Sequence, residues 1–134
     1  MTSAQHDAIQ EITFIDNLAI RGREAQFTTM TVNLDKVIQS WKLSLFSFEW
    51  LDGNGNIKDF NRLPSKEQVK RQEIEEILSE GSPFPRPVLG LGLSDNIEIG
   101  SGRAALLTLA SKGYTDISVH IPLSCQKDIE NILK

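Results

Sequence analysis

A chain of 134 residues, 40% apolar and 24% charged, is long enough for one domain with its own core and needs no covalent staples. Its single cysteine, Cys125, rules out an internal disulfide, no Cys/His spacing suits a metal, and a net charge of −4 argues against a broad electrostatic grip on nucleic acid. The polar opening Met1–Asp7 is no signal peptide and no apolar run has the length of a membrane span, so a reducing cytoplasm is the expected setting.

Residues 1–10, including His6, read as a loose leader. Ile12-Thr13-Phe14-Ile15 is a short apolar run that starts a sheet, and Phe27–Val32 is a second β-prone stretch. Asn33 is a natural N-cap for a helix whose one apolar face carries Leu34, Val37, Ile38, Trp41 and Leu45. Asp35 in the first turn and Lys42 late in the helix agree with its dipole. Trp41, and Trp50 in the aromatic stretch Phe46–Leu51, are expected in the core. Asp52-Gly53-Asn54-Gly55-Asn56 must turn. Its Asp-x-Asn-x-Asn pattern lacks the glycine and glutamate of a calcium loop, having Ile57 and Leu63 at those places, so a hairpin or connecting loop is expected.

Ser65, with Gln68 three residues on, predicts a capping box for a second helix with an imperfect stripe of Val69, Ile74, Ile77 and Leu78. Lys58, Arg62, Lys66, Lys70 and Arg71, diluted by Asp59 and Glu67, read as a solvated face. Gly81 ends that helix, and Pro83, Pro85 and Pro87 prevent its resumption. Val88–Leu93 and Ile97–Ile99 read as strands about a turn at Ser94-Asp95-Asn96. Ala104–Lys112 has strong helical propensity and ends at Gly113. Ile117, Val119 and Ile121 face one way on a following strand, with Ser118 and His120 on a half-exposed opposite face. Ser124 is placed to cap a last helix bearing Ile129, Ile132 and Leu133. Cys125 lies near that helix start, where a thiol pKa falls, but has no cationic neighbour in sequence. The fold class is mixed α/β, in a single domain over residues 1–134.

Chemistry is concentrated at Gly100-Ser101-Gly102-Arg103, between a short strand and a helix. Glycines allow a sharp turn and close approach of a ligand. The first amides of the helix lack internal partners and, with the dipole, favour an anion. Ser101 adds a hydroxyl and Arg103 a planar cation suited to phosphate. The spacing is that of neither a P-loop nor a dinucleotide fingerprint. Glu98 and Asp95 add nearby carboxylates.

The surroundings of this turn resemble the core of the ParB/sulfiredoxin superfamily. The elements that carry the resemblance are Ile74–Glu80, Gly81, Pro87, Val88–Leu93, Asp95-Asn96, Ile97–Ile99, Gly100-Ser101-Gly102-Arg103-Ala104-Ala105, Lys112-Gly113-Tyr114 and Ile117–Ile121. They lie in the span 74–122 and keep the family's order. The resemblance implies a small mixed sheet packed with helices. It also implies phosphate or nucleotide binding at Gly100, Ser101, Gly102 and Arg103, with Glu98 and His120 as accessory groups and a nucleoside triphosphate with Mg2+ as the cofactor class.

The chain departs from the family at Ile99, where many members have aspartate, and at Ser101, where sulfiredoxins have the reactive cysteine. Sulfinic-acid reduction is therefore not expected. Two readings follow. One is a nucleotide- or nucleic-acid-associated protein, with nucleotide hydrolysis, phosphotransfer or nuclease activity. The other is a plasmid- or phage-type interaction or regulatory module that keeps the fold without the chemistry and takes a protein partner. Neither involves a membrane, and no metal site of the protein's own is expected.

Overall fold

The computed structural model describes residues 11–134; the leader and His6 lie outside the described residues. The described chain is mixed α and β, with two sheets and four α-helices. Strand β1 (Phe14–Ile15) pairs in parallel with β3 (Phe84–Pro85) in a two-stranded sheet. Of the apolar run at Ile12–Ile15, Phe14 and Ile15 thus form a strand outside the main sheet. That sheet has the order β2 (Phe27–Asn33), β6 (Asp116–Pro122), β4 (Val88–Leu91), β5 (Ile97–Ser101). β2 is antiparallel to β6 over its full length, and β4 is antiparallel to β5. A single parallel pairing, Val88 with His120, joins β4 to β6.

Helix α1 (Leu34–Trp41) begins as the sequence predicts: Asn33 Oδ1 accepts the Lys36 N–H at 3.0 Å. It buries Leu34, Val37, Ile38 and Trp41. The helix stops there, so Leu45 leaves the apolar face and is 86% exposed. The turn at 52–56 is a hairpin-like loop. Asp52 Oδ1 accepts the Asn54 and Asn56 amides, and Leu51 bridges to Ile57. Helix α2 (Ser65–Glu80) has Pro64, not Ser65, at its N-cap. Ser65 is already helical, and Gln68 Nε2 donates instead to the carbonyls of Phe60 and Leu63, so no capping box forms. Ile74, Ile77 and Leu78 pack on the core, whereas Val69 is exposed.

Helix α3 (Arg103–Ser111) is the centre of the molecule, with Ala104 through Leu109 all buried. It ends where Gly113, at φ 98°, lets its own N–H reach Ala110 O and the Tyr114 N–H reach Leu109 O. Helix α4 (Gln126–Ile132) buries Ile129. Its N-cap is Cys125 and not Ser124. Burial pushes the Cys125 thiol pKa up, with Asp128 acting the same way.

Ile117, Val119 and Ile121 of β6 join Leu89, Ile97, Ile99, Val32 and the apolar faces of α1 and α3 in one core, with Trp41 and Trp50 fully buried. No helix among the described residues is long and apolar enough to cross a membrane.

Candidate functional site

The Gly100–Arg103 segment is more strand than loop. β5 continues through Gly100 and Ser101, with a register shift opposite Val88 and Leu89, so the turn is concentrated in Gly102. Gly102 is the N-cap of α3, at φ 83°. It has to be glycine for a second reason: a Cβ there would sit 3.0 Å from Pro87 Cα. Gly102 supplies no side-chain cap, and the first intrahelical bond of α3 runs from the Leu106 N–H to Gly102 O at 2.9 Å. The amides of the first turn therefore have no intrahelical acceptor. They border a cleft of about 380 Å³ lined by Gly100–Ala104, Glu67 and Lys70.

The other groups expected at this cleft are engaged elsewhere. Ser101 Oγ accepts a bond from Asn17 Nδ2 at 3.2 Å. Arg103 turns away from the amides of its own helix. Its guanidinium lies over the rings of Trp41 (5.6 Å) and Phe46 (5.1 Å), and Nη1 meets Glu49 Oε1 at 3.5 Å. The side chain is 26% exposed, and its Nε is buried without a hydrogen-bond partner. Lys70 is the cation at the rim of the cleft. Its Nζ lies 3.4 Å from Glu67 Oε2.

Glu67 is a feature that the solvated-face reading missed. It is only 4% exposed, and Oε1 accepts the indole N–H of Trp50 at 2.8 Å. Its position, one helical turn before Arg71 among charged neighbours, gives no sequence signal of burial. A magnesium–nucleotide complex fits this cleft only in part. Lys70 and the first-turn amides suit a phosphate, but no group of three His, Cys, Asp or Glu residues among the described residues is arranged for a metal ion.

Glu98 and His120 lie in different places. Glu98 faces the opposite side of Arg103, where Oε1 accepts Ser44 Oγ–H at 2.7 Å and Oε2 accepts Asn96 Nδ2 at 3.1 Å. Asp95 occupies the β4–β5 turn at φ 54°.

His120 is 2% exposed, not half-exposed as expected from its strand face. The segment before β2 covers it: the Asn17 N–H donates to Nε2 at 3.0 Å, Asp16 Oδ1 lies 3.8 Å away, and the Phe27 ring stands edge-on. Burial lowers the His120 pKa and outweighs the opposing pull of Asp16; Arg86 adds to the lowering. Because Nε2 accepts, the neutral ring carries its proton on Nδ1. Arg86 binds Asp16 and Ser118, while Asn17 Nδ2 binds Arg86 O and Ser101 Oγ. His120 and Ser101 are thus linked through Asn17, as parts of a structural network.

A second cleft, of about 620 Å³, opens beside Arg103 between residues 43–46 and the β4–β5 turn. Its walls include Leu43, Leu45, Phe46, Leu91 and Leu93. Leu43, Leu45, Phe46 and Leu93 are all exposed, Leu93 fully. Sequence reasoning had assigned Leu45 to a helix face and Leu93 to a strand, and both segments stop short of them. Comparison with protein-family models, with curated proteins and with solved structures found no match to this chain.

Proposed function

We propose that this chain is an interaction or regulatory module that docks a protein partner in the apolar cleft between residues 43–46 and the β4–β5 turn. The observation that carries this reading is four large apolar side chains, Leu43, Leu45, Phe46 and Leu93, exposed around one cleft. A contiguous apolar surface of that kind marks an interaction site more often than isolated exposed residues do. The groups beside it are built to hold a shape. Ser44 and Asn96 fix Glu98. Ser40 Oγ accepts the Ile97 N–H at 2.8 Å, which ties the end of α1 to the edge of β5.

An array of short peptides rich in leucine and phenylalanine tests the reading. Wild-type protein is expected to bind a subset of them. Leu45→Asp and Leu93→Asp, both at exposed positions, are expected to weaken that binding by about tenfold or more without lowering the melting temperature. Binding that is absent in the wild type, or unchanged in both variants, sinks the proposal.

The uncapped start of α3 supports a second reading, a phosphate-bearing nucleotide or nucleic acid held by the first-turn amides and Lys70, as the ParB/sulfiredoxin resemblance implies. A thermal-shift screen with nucleoside triphosphates, with and without Mg2+, tests it. A rise in melting temperature that Lys70→Ala removes supports the phosphate site; no shift at millimolar ligand eliminates it.

A further inference from the structure

We infer that the partner segment in the apolar cleft carries a carboxylate, and that Arg103 receives it. The inference rests on the docking reading and adds the chemistry of the docked segment. Glu98 and Ser44, two of the polar side chains of the cleft, have acceptors that are already engaged. Both oxygens of Glu98 accept bonds, and Ser44 Oγ, besides donating to Glu98, accepts the Phe46 N–H at 3.1 Å. Asn96 Nδ2 donates to both Glu98 Oε2 and Ile97 O.

The donors at Arg103 are not engaged to the same degree. A guanidinium has five N–H donors. Here one terminal nitrogen meets Glu49 at 3.5 Å, the outer limit of a hydrogen bond, and Nε is buried without a partner, so the donors left for a ligand are those of the terminal nitrogens. The cleft therefore ends in a cation with unused donors, and its complement is an anion with planar, paired acceptors.

The rings of Trp41 and Phe46 lie 5.6 and 5.1 Å from the guanidinium, so part of its conformational freedom is already lost before binding. Glu49, 31% exposed, already presents a carboxylate to the same nitrogen. It occupies the position in a weak, displaceable way, as an internal competitor. The fitting ligand is an extended or helical peptide with leucine- or phenylalanine-type side chains in the cleft and an Asp, Glu or terminal carboxylate on Arg103.

The test uses pairs of fluorescent apolar peptides differing only in one Glu or Gln, titrated against the whole chain by anisotropy. The Glu peptide is expected to bind roughly ten- to a hundredfold more tightly than its Gln twin, the range for a charge-assisted hydrogen bond. Arg103→Gln should erase that difference. Glu49→Gln, which removes the competitor from a partly exposed position, should widen it and covers the case in which the arginine variant fails to fold.

Equal affinities for the two peptides, with Leu45→Asp still abolishing both, overturn the carboxylate inference and leave the docking reading standing. No binding of either peptide overturns the docking reading itself. Displacement of the Glu peptide by equimolar inorganic phosphate makes Arg103 a phosphate ligand and overturns the inference. Sedimentation showing a dimer that Leu45→Asp dissociates makes a second copy the occupant, and also overturns it.

Discussion

The two faces of the main sheet are covered in different ways. On one face, Ile117, Val119 and Ile121 pack into an apolar core with α1 and α3. On the other, Thr29 and Thr31 of β2 stay exposed, and His120 and Ser118 are covered by a short segment held through polar contacts from Asp16, Asn17 and Arg86. The first cover is broad, non-directional and indifferent to pH. The second depends on a few bonds whose geometry and protonation must be right. The cleft at the start of α3 borders the second kind of structure as well as the first, since Asn17 also bonds Ser101.

The contrast is testable, beginning with the apolar side. Leu107 is fully buried at the middle of α3. Leu107→Ala is expected to lower unfolding stability by about 2–5 kcal/mol in urea titration, the range for a cavity left by a buried leucine. A loss below about 1 kcal/mol would mean that the core side of the sheet is not the dominant one.

On the polar side the loss should be smaller. Asn17→Ala removes the bonds to Arg86 O and Ser101 Oγ and the side-chain bond to the Ala19 amide. It is expected to cost about 1–2 kcal/mol by the same measurement, because the site is partly solvated.

Acidification tests the polar side without mutation. The His120 pKa lies below its ordinary 6.5, mainly through burial. Its contribution is therefore complete above about pH 6.5 and is lost as pH falls through the depressed folded-state value, since the unfolded chain takes up the proton first. Melting temperature should decline over that interval, and His120→Asn should flatten the His120 part of the decline. Identical pH profiles for wild type and variant would show that the Asn17 contact does not depend on the ring's charge. The smallest effect should be that of Asp16→Asn: Asp16 is 66% exposed, so its pair with Arg86 is screened by water. The expected change is under about 1 kcal/mol.

The same division explains what the sequence made legible. α3 and β6 were readable because propensity, apolar pattern and a terminal glycine agree along one short stretch. The mixed α/β class, the strands at Phe27–Val32, Val88 and Ile97, and the Asn33 cap were readable for the same reason. The errors arise where distant residues decide. Nothing near His120 in sequence announces that Asn17 covers it. Ser65 looks like a cap, but Pro64, with its extended backbone at ψ 150°, starts the helix one residue earlier. Leu45 follows the helical spacing of Leu34 to Trp41, yet the helix ends before it. At the candidate site, the sharp turn expected of Gly100 and Gly102 together falls on Gly102 alone, Gly100 and Ser101 being strand. The orientation of Arg103 was not legible, because it is set by Trp41, Phe46 and Glu49, far upstream in the chain.

The position of β6 at the centre of the sheet has a consequence for how the molecule is made. β6 follows the other strands of its sheet in sequence, yet among the described residues it is the strand that joins β2 to the β4–β5 hairpin. A nascent chain can close that hairpin locally as soon as both of its strands have emerged. β2 must wait for a partner that lies far downstream of it, and the loop closed by their pairing is correspondingly long. While it waits, its Phe-Thr-Thr-Met-Thr-Val sequence alternates threonine with larger apolar groups from Thr29 onward, so a prematurely exposed β2 offers one hydroxyl-bearing side to water. Completion of the sheet is thus a late event in folding, and the rate of that step should follow substitutions in β6 more closely than those in the hairpin.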